Sequence, residues 1–445
     1  MVDEDRLYED IRYEISDLKT AFLIGCYTKS SDLMLCKEHI DELESLSNTY
    51  GFEVISKNPC PLRKVEASTY LGKGKVQELV DLAAEMKADV VIFDDEISPN
   101  QQRNLEKAFK RPVIDRTELI LEIFSQRAQT REAKLQVELA KSHYQLPRLK
   151  RLWTHLSRQV ASGKGFLKGA GERQIELDRR MVRDRISRLK KEIEEVRHQR
   201  EVQRHARIRS GIPTFAIIGY TNVGKSTLLH ALTQAEVLVE DKLFATLDTT
   251  TRKFTLPNHQ EILLIDTVGF IRKIPHTLVA AFKSTLEEAM YTDILLHLVD
   301  VNHPLAEEHA ESTYEVLKEL GAEDKPMITV LNKIDALNNK GILGRLKLKY
   351  PRVVGISAIE QIGFDELMRM MMDTIKDLRK IVKLRIPQKD YAIVSQLMDE
   401  GRLIHKEFEE NDILIEIEIP VHMERKVEPF LAEGDLDDSA NKTSL

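Results

Sequence analysis

The octapeptide Gly219-Tyr220-Thr221-Asn222-Val223-Gly224-Lys225-Ser226 constrains this chain more than any other feature. It stands directly after an apolar run that reads as a strand, TFAIIGY (214–220), and directly before a run with helical spacing. A loop of this kind lets backbone N–H groups converge on phosphate oxygens, and the helix N-terminus adds positive potential. The Lys225 ammonium then neutralises β- and γ-phosphates, and the Ser226 hydroxyl, with Thr227 behind it, meets a magnesium ion. Part of the chain must therefore fold as strand, loop and helix within a nucleotide-binding α/β sheet.

Residues 211–380 continue that pattern. RKFTLP (252–257), EILLIDT (261–267), DILLHLVD (293–300), MITVLNK (327–333) and VVGISA (353–358) read as strands alternating with helical runs. Several are continuously apolar, as expected of strands buried on both faces of a doubly wound sheet. Asp266-Thr267-Val268-Gly269 closes one of them. A carboxylate at a strand's carboxyl end can hold magnesium through water, and the Gly269 N–H can sense a γ-phosphate. Asn332-Lys333-Ile334-Asp335 closes another. Guanine presents N1–H and N2–H donors on one edge; a buried Asp335 accepts both and would be left unpaired by adenine. Asn332 then braces the loop, the Lys333 stem covers the base, and Ser357-Ala358 offers a backbone N–H to the guanine O6. Between the phosphate loop and Asp266, the run Phe244-Ala245-Thr246-Leu247-Asp248 and the threonines after it form a candidate switch. Thr246 is preferred over Thr250 to close the magnesium shell, because its loop length is the one small GTPases use. The set implies a GTPase with Lys225, Thr246 and Gly269 at the reacting phosphate. Phe270 stands where a Ras-like protein has a glutamine that orients water, so intrinsic hydrolysis should be slow unless a partner completes the site.

Length and charge set the frame around this domain. At 445 residues the chain exceeds one ordinary core, and about three domains are expected. Its 42% apolar and 31% charged residues suit a soluble protein, and no apolar run approaches the roughly 18–20 residues of a membrane span. The acidic start, MVDEDRLYEDIRYE, does not read as a targeting peptide, and Cys26, Cys36 and Cys60 lack metal-site spacing. A cytoplasmic monomer is expected. Net charge is −7, yet residues 141–210 hold 20 Lys and Arg against 8 Asp and Glu. A basic segment in an acidic protein suggests a polyanionic partner.

Four domains follow from the patterning. Residues 1–116 form an N-terminal α/β domain with strands TAFLIGCY (20–27), FEVIS (52–56) and DVVIFDD (89–95). Residues 117–210 form a basic helical hairpin. Its arms are 118–160, one helix or two joined near Pro147, and 172–209, with Ile175, Met181, Ile186, Leu189, Ile193 and Val196 as the seam. The turn SGKGFLKGAG (162–171) has too many glycines for a helix and carries Lys164 and Lys168, with Arg173 just beyond. The GTPase domain spans 211–380. Residues 381–445 form a small module, strand IVKLRIP, helix 389–404, strand ILIEIEIP (413–420), with a disordered polar tail.

GYTNVGKSTLL, LFATLD, DTVGFI and NKID together resemble the HflX family of bacterial and organellar GTPases, in the translation-factor-related class. So do RPVIDRTELILEIFSQRAQTREAKLQVELA (111–140), WTHLSRQ (153–159) and the glycine-rich loop before ERQIELDRR. The resemblance implies binding to the large ribosomal subunit and its rRNA, stimulation of hydrolysis there, and separation of stalled ribosomes. It also implies that the loop between the linker helices reaches toward the peptidyl-transferase centre, with Lys164, Lys168 and Arg173 on RNA phosphates. The family's loop reads GPGET where this chain has Gly169-Ala170-Gly171-Glu172-Arg173. A different reading of the residues is a signalling or membrane-surface GTPase whose basic helices meet anionic lipid, which asks for an apolar stripe opposite the basic one.

Overall fold

The computed structural model describes residues 18–149, 170–209, 212–234, 243–244, 250–272, 291–337, 340–409, 411–420 and 423–432. Two compact units emerge, one holding residues 1–193 with 240–248 and 273–283, the other holding the remainder.

In the first unit, strands β1 (Thr20–Tyr27), β2 (Glu53–Pro61), β3 (Val90–Phe93) and β4 (Val113–Asp115) form a parallel sheet in the order β2-β1-β3-β4. Helix α1 (Leu33–Tyr50) connects β1 to β2, α2 (Lys73–Glu85) connects β2 to β3, and α3 (Pro99–Phe109) connects β3 to β4. Val76 and Leu79 of α2 and Leu105 and Phe109 of α3 close a core over Phe22, Ile24, Val91 and Phe93. The mainly parallel sheet expected from the alternating runs is present. Ser98 caps α3 by accepting from Gln101 N–H, with Pro99 at the first helical position, the arrangement that fixes a helix start.

The long first arm expected over 118–160 is divided. Helix α4 (Arg116–Arg127) stops where Ala128 turns extended, and Thr130 caps α5 (Arg131–Gln145) by accepting from Ala133 N–H at 3.2 Å. A side-chain cap competes with helix continuation, and here it wins. Helix α5 ends in a tight turn, Leu146–Arg148. Helix α6 (Ala170–Arg209) then runs 40 residues and crosses from the first unit into the second. Its buried stripe is Val182, Ile186 and Leu189 against Leu149, whereas Met181, expected in the seam, is exposed. Ile186 and Leu189 lie in the stripe as expected, with Val182 in the place expected for Met181.

The second unit contains a six-stranded sheet of β5 (Thr214–Gly219), β6 (Thr250–Thr255), β7 (Glu261–Asp266), β8 (Ile294–Asp300), β9 (Met327–Asn332) and β10 (Val353–Gly355). Its order is β10-β9-β8-β5-β7-β6, parallel except where β6 joins β7. Helix α7 (Lys225–Thr233) follows β5, α8 (Ala306–Glu319) follows β8, α9 (Lys340–Lys349) follows β9, and α10 (Phe364–Leu378) follows β10. All six strands expected from the sequence are present within a few residues.

One core residue of this sheet is costly. His297 on β8 is buried, neither ring nitrogen has a hydrogen-bond partner among the described residues, and the ring meets Tyr314 edge-on at 5.2 Å. Burial pushes its pKa down from 6.5 to about 4. The unfolded chain therefore binds a proton that the folded chain refuses, and stability falls as pH drops from 6.5 through 4. His297→Leu should abolish that loss, worth roughly 3 kcal/mol at the acid end. Urea melts at pH 7 and pH 4.5 should show the parent losing more stability than the variant; equal losses would refute the assignment.

The last residues form β11 (Arg379–Pro387), α11 (Tyr391–Glu400), β12 (Arg402–Glu409) and β13 (Asp412–Pro420), an antiparallel sheet in the order β11-β13-β12. This corrects the helix expected over 389–404, which ends at Gly401 and gives way to a third strand. Leu403, Ile404 and Phe408 of that strand are exposed and its other side chains are charged or His405. An edge strand so decorated shows no inward alternation to betray it.

Candidate functional site

The phosphate loop leaves the sheet at Gly219 and re-enters helix at Lys225. Gly224 takes φ +94°, and a Cβ there would stand 2.4 Å from Asn332 Nδ2, so only glycine fits. The Lys225 ammonium is buried and donates to Gly219 O at 3.2 Å and Tyr220 O at 2.7 Å. Burial pulls its pKa down to about 8, with the Asp266 carboxylate opposing the shift. A cation so poorly solvated gains most from an arriving polyanion.

At the carboxyl end of β7, Asp266 is fully buried and accepts from the Ser226 hydroxyl at 2.8 Å. Two hard oxygen donors side by side, one of them anionic, fit a magnesium ion carried with the nucleotide. Thr267 is turned away from them and donates to Ile217 O at 2.7 Å, while Val268 is buried. Phe270 is buried and bridges to the phosphate loop: Thr221 N–H donates to Phe270 O at 2.7 Å, and Phe270 N–H donates to Gly219 O at 3.0 Å.

The loop expected to meet the base is built on Asn332. Its Nδ2 donates to Val223 O at 2.7 Å and its Oδ1 accepts from Ala358 N–H at 3.0 Å. The phosphate loop and the Ser357-Ala358 turn are thus joined through one amide. Ser357 is buried and its hydroxyl accepts from Glu360 N–H at 3.1 Å. Lys333, with φ +66°, donates to Asn222 O at 2.9 Å and pairs with Asp300 at 2.7 Å. Asp335 departs from expectation: it is exposed in a short 3-10 turn, Ile334–Ala336. A bound base is what would desolvate it. Two contributors were not anticipated. Asp300 holds Lys333, and Asn302 donates to Lys333 O at 2.6 Å. They lie at and just beyond the carboxyl end of β8, the edge at which parallel sheets bind ligands.

Ala245, Thr246, Leu247 and Asp248 lie outside the described residues, as do Lys164 and Lys168; of Arg173 only the helical backbone is described. Phe244 clusters with the first unit, its ring edge-on to Phe124 at 4.5 Å. Thr250, the other threonine considered for the magnesium shell, opens β6 opposite Asp266 in the ladder.

Three family models match successive parts of the chain: GTP-binding GTPase N-terminal over residues 37–125, GTP-binding GTPase Middle Region over 127–207, and 50S ribosome-binding GTPase over 214–333. A GTPase HflX of Chlamydia pneumoniae is 48% identical over 95% of this chain and 90% of its own length. The chain belongs to the HflX family. A GTPase HflX of Akkermansia muciniphila is 44% identical over 95% of this chain and 99% of its own. A crystal structure of SsGBP with GDP is 28% identical over 80% of this chain and 98% of its own, with a TM-score of 0.48. As an HflX GTPase, this chain binds guanine nucleotide and hydrolyses GTP. Among the described residues, no helix is long and apolar enough to cross a membrane.

Proposed function

We propose that this GTPase is a magnesium-dependent switch that binds the large ribosomal subunit and separates stalled ribosomes into subunits. The observation that carries the reading is the match of residues 214–333 to a model described as 50S ribosome-binding GTPase, in a chain whose neighbouring segment 141–210 is strongly basic. Lys and Arg on such a segment replace counterions on rRNA phosphates. The membrane-surface alternative needs an apolar stripe facing lipid, but the Val182-Ile186-Leu189 stripe of α6 is already buried.

In this reading the amides of 219–226 hold the phosphates, Lys225 spans the β- and γ-groups, and Gly269 N–H senses the γ-phosphate. Ser226 and Thr246, with Asp266 through water, would hold magnesium, which would offset phosphate charge there. Asp335 selects guanine; the Ala358 N–H, expected at the guanine O6, is instead held by Asn332 Oδ1 and braces the turn beside the base. No residue of Asp266–Phe270 can orient water, so the ribosome supplies what Phe270 lacks.

GTP turnover measured with and without purified large subunits, at two salt concentrations, tests this. Stimulation of at least tenfold that fades with salt is expected, together with conversion of 70S particles to subunits on sucrose gradients. Absence of stimulation would remove the ribosome from the account and leave the GTPase intact.

A further inference from the structure

The segment after β7 is docked on the phosphate loop by more than the two backbone hydrogen bonds of Phe270. The Tyr220 hydroxyl accepts the N–H of Arg272 at 2.8 Å. The ring bearing that hydroxyl is held flat. His309 on α8 stacks on it with centroids 3.7 Å apart and planes 4° from parallel, and His303 lies against His309 at 4.2 Å. Tyr220 is buried, and a phenol ring has two rotatable bonds, so the clamp fixes the acceptor in space. The phosphate loop's own side chain therefore reaches across to the neighbouring motif and holds it.

What the docked segment covers is specific. A Cβ built on Gly269 would lie 2.8 Å from Lys225 Nζ and 2.9 Å from Thr221 Cα. The Gly269 backbone thus stands against the ammonium that a γ-phosphate has to reach. Beside it, the Thr221 N–H is committed to Phe270 O. Besides Lys225, the α- and β-phosphates call on the loop amides and the start of α7, which the γ-phosphate depends on less. A segment docked against Lys225 and Thr221 competes with a γ-phosphate more than with a diphosphate.

We propose that Tyr220 is a positioning residue that latches residues 268–272 over the γ-phosphate position and so sets the preference of the free protein for GDP over GTP. The latch acts through Arg272 N–H and the His309 stack. It rests on the GTPase activity of the family and is independent of any ribosomal role. A ligand shifts a two-state element only by its differential affinity, so weakening the docked state raises apparent GTP affinity relative to GDP.

The test uses the full chain, magnesium, fluorescent GDP and a non-hydrolysable GTP analogue, with no ribosome present. Tyr220→Phe keeps the ring stack and removes the acceptor. The ratio of analogue affinity to GDP affinity should rise about threefold to tenfold, the effect of one hydrogen bond. His309→Ala should move the ratio the same way, and His309→Phe, which restores a flat ring, should return it toward the parent value. An unchanged ratio in Tyr220→Phe, or two affinities that fall together as a damaged fold would give, overturns the latch. Failure of the parent chain to bind either nucleotide would instead overturn the GTPase reading beneath it.

Discussion

Lys225→Ala is expected to weaken both GDP and GTP by about two to three orders of magnitude, as charge-assisted bonds to two phosphate groups are lost. The structure gives the reason for expecting both to suffer. Lys225 Nζ reaches back from the start of α7 to Gly219 O and Tyr220 O at the loop's opening, and so spans the loop. Its low pKa shows how little solvent stabilises the charge there. The nucleotide-free variant should therefore be no less stable than the parent, because the change removes a buried cation. Titration with fluorescent nucleotides and a thermal melt in the absence of nucleotide check the two halves. A variant that turned over GTP at the parent rate would show that the phosphates bind elsewhere.

Asp335→Asn should redirect base choice. An aspartate accepts twice from guanine N1–H and N2–H, whereas asparagine accepts once and donates once. GTP affinity should fall about a hundredfold or more, since a site built for paired donors rejects a mismatch steeply. Xanthosine triphosphate, which presents a donor at N1 and an acceptor at C2, should gain what GTP loses. Asp335 is exposed without a base, so this substitution should leave the melting temperature of the nucleotide-free chain unchanged. Competition binding with both nucleotides reads the exchange; equal weakening of the two would mean that Asp335 does not face the base edge.

The parts of the fold legible in the sequence were those whose signal is local. Apart from the polar edge strand β6, the GTPase strands are short, nearly continuous apolar runs, and the motifs sit at their carboxyl ends, so spacing ordered the domain. β4 escaped because three residues, Val113–Asp115, are too few to show a period. The break before Thr130 escaped because Ala128-Gln129-Thr130-Arg131 has helical composition and only the realised cap decides against continuation. β12 escaped because its apolar residues face outward.

The site shows the same division. Lys225, Ser226, Asp266 and Asn332 belong to contiguous patterns with a stated chemistry, and the structure joins Ser226 to Asp266 and Asn332 to Val223. Asp300, Asn302 and His309 belong to no pattern. They matter because the parallel order of β8, β5 and β9 brings distant loops to one edge of a sheet. Tyr220 was legible as a phosphate-loop residue, but its hold on Arg272 was not.

Asn332 spends its donor on the phosphate loop and its acceptor on the turn opposite the base. In the proposed reading, the turn beside the purine and the loop that grips the phosphates therefore share one side chain whose two polar atoms are both committed. A lineage carrying this arrangement has no easy way to loosen one property while keeping the other. Drift toward weaker retention of nucleotide would bring drift toward misreading the base, and selection on either protects both.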